Sequence, residues 1–114
     1  MANDFKRFCV PSVGTSNTTL YTVPGSSKES IVIGITMANK SNSGITGSIF
    51  IDNEDGSNDV FIVKDASIPA GSSLEVMSGN KLVLQNDGSN ADNLEGISSA
   101  ANSLDITVSV LEDV

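Results

Sequence analysis

Two stretches of this 114-residue sequence hold residue types that could do chemistry. The first is Cys9, a lone thiol close behind Lys6 and Arg7. Neighbouring cations favour the thiolate, the form that attacks electrophiles and binds metals. A cysteine nucleophile also needs a base, and the chain contains no histidine. With no second cysteine there is no intrachain disulfide and no thiolate zinc cluster. Cys9 is therefore expected to be a small buried hydrophobe. The missing histidine also removes every Ser–His arrangement and histidine ligation of a metal. Serine is abundant but stands in no Gly-x-Ser-x-Gly elbow, and the glycines are scattered among turns rather than gathered into a phosphate-binding loop.

The second stretch is oxygen-rich. Asn53, Asp55, Ser57 and Asp59 alternate as calcium-loop ligands do. That pattern also requires Gly at its sixth position and Glu at its twelfth, where this chain has Asn58 and Lys64. Asp87, Asn90 and Asp92 are equally rich in oxygen and match no pattern. Asn, Asp, Ser and Gly dominate ordinary turns because they tolerate left-handed backbone and bond their own main chain. Both stretches are expected to be turns without metal, and no catalytic, cofactor or metal residues are assigned. Millimolar calcium is accordingly expected to leave the melting temperature unchanged. A rise of several degrees, reversed by chelator, would overturn that.

The elements that surround these stretches read as strands. Ser30 to Asn39 places Ile31, Ile33, Ile35 and Met37 at odd positions and smaller residues between them, the period-two signature of a half-buried strand. Gly34 in its middle marks a bulge or a close backbone approach. This is expected to be the central strand. Thr18–Val23 is a short β-favouring run stopped by Pro24-Gly25. Ile45, Ile49 and Ile51 share one face of the next run, with Thr46, Ser48 and Phe50 on the other. Val60-Phe-Ile-Val63 is continuously apolar, as in a strand buried on both faces or covered by a partner. Ser73–Met77, Lys81–Gln85 and Leu94–Ile97 are brief strands. In the last strand Leu104, Ile106, Val108 and Val110 face inward while Asp105, Thr107 and Ser109 face out. No window carries a sustained helical stripe. The expected fold is all-β: a compact antiparallel β-sandwich, Ig-like or jelly-roll-like, of about eight short strands.

One domain fits this length. Residues 16–114 are expected to form the sandwich, with residues 1–15 as an N-terminal arm or an edge strand. That first segment carries Phe5, Lys6, Arg7 and Phe8, a concentration of aromatic and basic groups in a chain with 6 basic residues, 14 acids and 4 phenylalanines. Aromatic and Arg side chains dominate interface energetics, so these four are the expected partner contacts. A net charge of −8 argues against nucleic acid, whose phosphates reward clustered Lys and Arg. No apolar run approaches the ~20 residues of a membrane helix, and the N-terminus lacks a signal pattern. Synthesis and folding in the cytoplasm are expected.

Several phrases occur together in order: Val13-Gly-Thr-Ser16, Leu20-Tyr-Thr-Val-Pro24, Ile31-Val-Ile-Gly-Ile35 with Ala38-Asn39, Ile68-Pro-Ala-Gly-Ser-Ser-Leu-Glu75, Lys81-Leu-Val-Leu84, and Ser98-Ser-Ala-Ala-Asn-Ser-Leu-Asp105 before Val110-Leu-Glu112. In this the chain resembles small virion structural proteins of tailed bacteriophages, including cyanophages. The loop after Leu84 is longer than the Gly-Asp turn of that family, so residues 86–93 inherit no role from it. The resemblance implies a non-enzymatic virion component made in the host bacterial cytoplasm. A capsid decoration (cement) protein in many copies is the first expectation, and a neck, tail or baseplate part the second. Its partners would be other virion proteins, the major capsid protein or tail and neck subunits, and further copies of itself. A carbohydrate- or calcium-binding adhesin module is the alternative of another class; few aromatic residues count against it.

Overall fold

The computed structural model describes residues 3–24, 29–52, 59–77, 81–86 and 91–113. Alternating side chains give two-faced strands, and two such faces bury each other as a pair of antiparallel sheets. The first sheet is built from β1 (Asn3–Val10), β9 (Leu104–Asp113) and β3 (Glu29–Asn39), in that order. The far edge of β3 carries two short strands, β6 (Ser73–Glu75) and β7 (Leu82–Gln85). The second sheet runs β2 (Thr18–Thr22), β8 (Asn93–Ser98), β4 (Ile45–Asp52), β5 (Asp59–Ile68). No helix occurs among the described residues. The all-β sandwich is as the alternation required, with nine described strands where about eight were expected.

Between the sheets lies one aliphatic core. Leu104, Ile106, Val108 and Val110 of β9 are all buried in it, as their alternation indicates. Two glycines on the second sheet make room for them. A Cβ on Gly96 would stand 3.0 Å from Ile106 Cδ1, and one on Gly47 would stand 2.9 Å from Met37 Sδ. First-sheet side chains thus occupy the volume that second-sheet side chains leave vacant. Gly96→Val should overpack this contact and destabilise the fold by about 1–3 kcal/mol, read from the urea midpoint. An unchanged midpoint would mean the sheets can part without loss.

The central strand departs from simple alternation. Ser30, Val32, Ile35, Met37 and Asn39 face the core, so inward positions switch from even to odd partway along β3. The switch is a β-bulge: Val32 pairs with Val110 and Gly34 with Ser109, which leaves Ile33 as the extra residue. The expectation that Ile31 and Ile33 join Ile35 and Met37 in the core is therefore corrected. Ile31 is half-buried and Ile33 exposed, both on the outer face. Val60–Val63 is likewise not enclosed. It belongs to β5, the last strand of its sheet, and Val60 and Phe61 are exposed.

Candidate docking site

Strand β1 is the outermost strand of the first sheet and pairs with β9 without interruption from Asn3–Asp113 to Val10–Ile106. Its side chains alternate between two environments. Phe8 turns inward, its ring centroid 4.9 Å from that of Tyr21 on the opposite sheet. Lys6 reaches Glu112 at 3.6 Å. Phe5 and Arg7 point outward; Phe5 is 76% exposed, and Arg7 has no ion-pair partner among the described residues. Cys9 follows the outward set and is exposed, which corrects the expectation of a buried thiol. Phe8 and Val10 take the core-facing positions on either side of it.

The two inward residues lock β1 into a polar network. Tyr21 donates to Glu112 Oε2 at 2.6 Å and lies 2.7 Å from Ser30 Oγ, joining β2 to β9 and β3. Burial and the Glu112 carboxylate hold the phenol well above its usual pKa range. At the other end of β9, Lys40 Nζ lies 2.9 Å from Asp105 Oδ1, and the Ser12 amide donates to the same oxygen. Those two bonds hold the Asp105 carboxyl below its ordinary range, the lysine being the larger cause.

An apolar row crosses the outer face of the first sheet in register. Phe5 pairs with Leu111, Leu111 with Ile31, and Ile31 with Val83. Val83 is 54% exposed, and the bulge adds Ile33 beside the row. Neighbouring strands lie about 4.8 Å apart, so the row spans roughly 14 Å from Phe5 to Val83. Contiguous exposed apolar surface rimmed by polar groups marks an interaction site more often than scattered residues do.

The outer face of the second sheet differs. Its row is Thr19, Glu95, Phe50 and Phe61, each paired with the next across β2, β8, β4 and β5. Phe50 is 1% exposed although it faces away from the core, with the tilted ring of Phe61 5.1 Å from it between centroids. Lys64 Nζ stands 5.3 Å from the Phe61 ring centre. Glu95 is 8% exposed and has no hydrogen-bond or ion-pair partner among the described residues. Burial raises its pKa, and the charges of Asp52 and Asp59 raise it further. In the sequence Leu94–Ile97 reads only as a brief strand, and nothing local marks Glu95 as buried.

A carboxyl whose folded pKa lies above its unfolded one adds stability that is fully present below the unfolded value and is lost as pH rises through the folded value. Glu95 therefore weakens the fold near neutrality relative to mild acid. Glu95→Gln should raise the urea midpoint at about pH 7 and remove that part of the pH dependence. An unchanged or lower midpoint would mean that the carboxylate is well satisfied.

The calcium-type positions Asn53, Asp55, Ser57, Asp87 and Asn90 lie outside the described residues. Asp59 opens β5, and Asp92 is buried and accepts a hydrogen bond from the Gln85 amide at 2.9 Å. Among the described residues no three Cys, Asp or Glu side chains are gathered to hold a metal ion, and no helix is long and apolar enough to cross a membrane.

No protein-family model matches the chain, and no curated protein matches it in sequence. Solved structures do share its fold. One is the subunit of Bacillus endospore appendages, described as a family of disulfide-linked pili, with a TM-score of 0.57 and 10% identity over 98% of this chain and 88% of that one. Another is VP2 of infectious bursal disease virus in its subviral particle, with a TM-score of 0.50 and 11% identity over 96% of this chain. This chain spans about a third of VP2, covering 32% of it. What these likenesses establish is a β-sandwich architecture that is also used by a pilus subunit and by a viral capsid protein.

Proposed function

We propose that this protein is a non-enzymatic structural component of a bacteriophage virion, a capsid decoration protein present in many copies. The observation that carries the reading is the outer face of the first sheet. There an exposed Phe5 and an exposed Arg7 stand beside an apolar row four strands wide. Such a surface offers burial and an anchor of the kind that dominates interface energy. Lys6 and Phe8 hold the strand that presents it. The resemblance of the sequence to small phage virion proteins supports the same reading, as does a fold shared with proteins that build a viral particle and a pilus.

Removing residues 1–12 would strip β9 of its neighbour, so substitutions test the contact more cleanly than truncation. Phe5→Ser with Arg7→Ser is expected to leave a folded domain and to lower its copy number in purified particles at least tenfold. Incorporation at the wild-type level would overturn the role of this face. Complete absence of the wild-type protein from particles would overturn the virion assignment. A neck, tail or baseplate position is the second reading, favoured by the fold shared with a filament-forming subunit. Imaging of particles labelled through this protein separates the two: a label over the head shell supports decoration, and one at the vertex or tail supports the second reading.

A further inference from the structure

We propose that two copies of this protein pair edge to edge through strand β1 across a two-fold axis, so that their first sheets join into one. The axis passes beside Lys6, which sets Phe5 of each copy opposite Arg7 of the other. This deepens the proposed structural role by naming a second copy as the partner of that edge.

A sheet edge offers a row of main-chain donors and acceptors to any strand that can lie beside it. Folded proteins blunt such edges with bulges, short strands and charges. Three of the four edges in this sandwich are blunted. Strand β2 shifts register between Thr19 and Tyr21. Strand β5 shifts register twice along β4 and holds Asp65 at a φ of 51°. The far side of β3 carries only β6 and β7, of three and four residues. Strand β1 is the exception. It keeps unbroken register with β9 over eight residues, contains no Gly or Pro, and has no strand on its other side among the described residues.

This open edge is complementary to itself. Antiparallel strands related by a two-fold axis keep one face of the joined sheet, so outward residues meet outward residues and the axis passes beside a residue. An axis at Lys6 or at Arg7 pairs the longest run of β1, residues 3–9 or 4–10 of each copy. At Arg7 two guanidinium groups would stand opposite each other, which opposes pairing. At Lys6 the outward pairs are Phe5 with Arg7, formed twice. Both side chains are exposed, and Arg7 has no ion-pair partner among the described residues. A guanidinium stacks well on an aromatic face. The two Lys6 side chains meet on the inner side, where each already leans on its own Glu112 at 3.6 Å. That counter-charge reduces the blunting an edge lysine would otherwise exert. The joined sheet also brings the apolar row from Phe5 to Val83 of one copy beside that of the other, so pairing doubles the docking face.

The register makes the test specific. Wild type is expected to sediment as a dimer at about 1 mM and to dissociate on dilution, as small interfaces do. Phe5→Lys sets a lysine against Arg7 twice and should weaken the dimer about tenfold or more, with the circular dichroism spectrum unchanged. Phe5→Lys with Arg7→Glu makes both pairs attractive and should restore it, since only the axis at Lys6 places positions 5 and 7 opposite each other. Spin labels on the exposed Cys9 read the register independently. Position 9 stands opposite position 3 of the other copy, so the labels should lie roughly 20 Å apart, and each one-residue shift of the axis changes that by about 7 Å. Wild type that stays monomeric at about 1 mM, a folded double variant that stays monomeric, or a label distance of roughly 14 or 27 Å would overturn this pairing. Entry into particles is scored separately. A monomer that enters them overturns the pairing alone, and a dimer absent from them overturns the virion role alone.

Discussion

Ile106→Ala is expected to lower the free energy of unfolding by about 2–5 kcal/mol. Ile106 is fully enclosed on β9, opposite Met37 on one side and Val10 on the other, and its Cδ1 reaches the space above Gly96 on the facing sheet. The cavity left by truncation would be bounded by paired strands on both flanks and by a backbone with no side chain across from it. Paired strands limit how far the site can collapse, so the lost contacts add to the lost transfer energy. Ile33→Ala removes the same atoms from the exposed bulge and should fall below about 1 kcal/mol. Chemical denaturation of both variants checks the pair. Equal losses would mean that the bulge does not turn Ile33 outward.

The second large effect is expected at Asn39, and its cause is polar. The Asn39 side chain is buried where β3 leaves the first sheet. Its amide nitrogen donates to Ser43 O at 2.8 Å and to Ile68 O at 3.0 Å. Its oxygen accepts from the Ser41 amide at 2.9 Å and the Ser41 hydroxyl at 2.7 Å. One side chain thus shapes the β3–β4 turn and ties it to the end of β5. Asn39→Ala removes the buried donor to the Ile68 carbonyl and the acceptor that holds Ser41, and a buried group left unpaired costs about 1–3 kcal/mol. A loss of about 2–4 kcal/mol is expected, read from the urea midpoint, with faster amide exchange in the turn. Asn39→Asp should be at least as damaging, because it sets a carboxylate against two carbonyl oxygens. If Asn39→Ala melts within a degree of wild type, water has replaced the bonds.

What the sequence disclosed depended on how regularly each strand alternates. The strand from Leu104 to Val110 keeps one period throughout, and its inward set was legible without ambiguity. In β3 the pattern of large residues at odd positions was just as clear, but one extra residue at Ile33 reverses which side faces in. Gly34 marked the place of a bulge without saying which flank it would turn out. The candidate site was legible in part. The aromatic and basic cluster at Phe5–Phe8 could be read directly, yet which two of its members face outward depends on pairing with β9. The row from Phe5 to Val83 joins residues from four separate strands, which no local window can assemble. Glu95 was hidden for the same reason, since its neighbours Thr19 and Phe50 lie on other strands and the charges of Asp52 and Asp59 come from a different part of the chain.

The pairing of β1 with β9 has a consequence for synthesis. Phe5 finds its partner only when Leu111 has left the ribosome, after nearly all the intervening chain. At a translation rate of about 5–20 residues per second, that interval lasts roughly 5–20 seconds, far longer than a single domain needs to fold. Through that time the amino-terminal strand, with its aromatic rings and its thiol, emerges with no sheet to join. The nascent chain must either be held by a chaperone or rely on its charge to avoid its neighbours on the same message. Pairing of β1 is thereby deferred until β9 has emerged. Half-made copies, lacking β9, cannot complete the face on which assembly would depend.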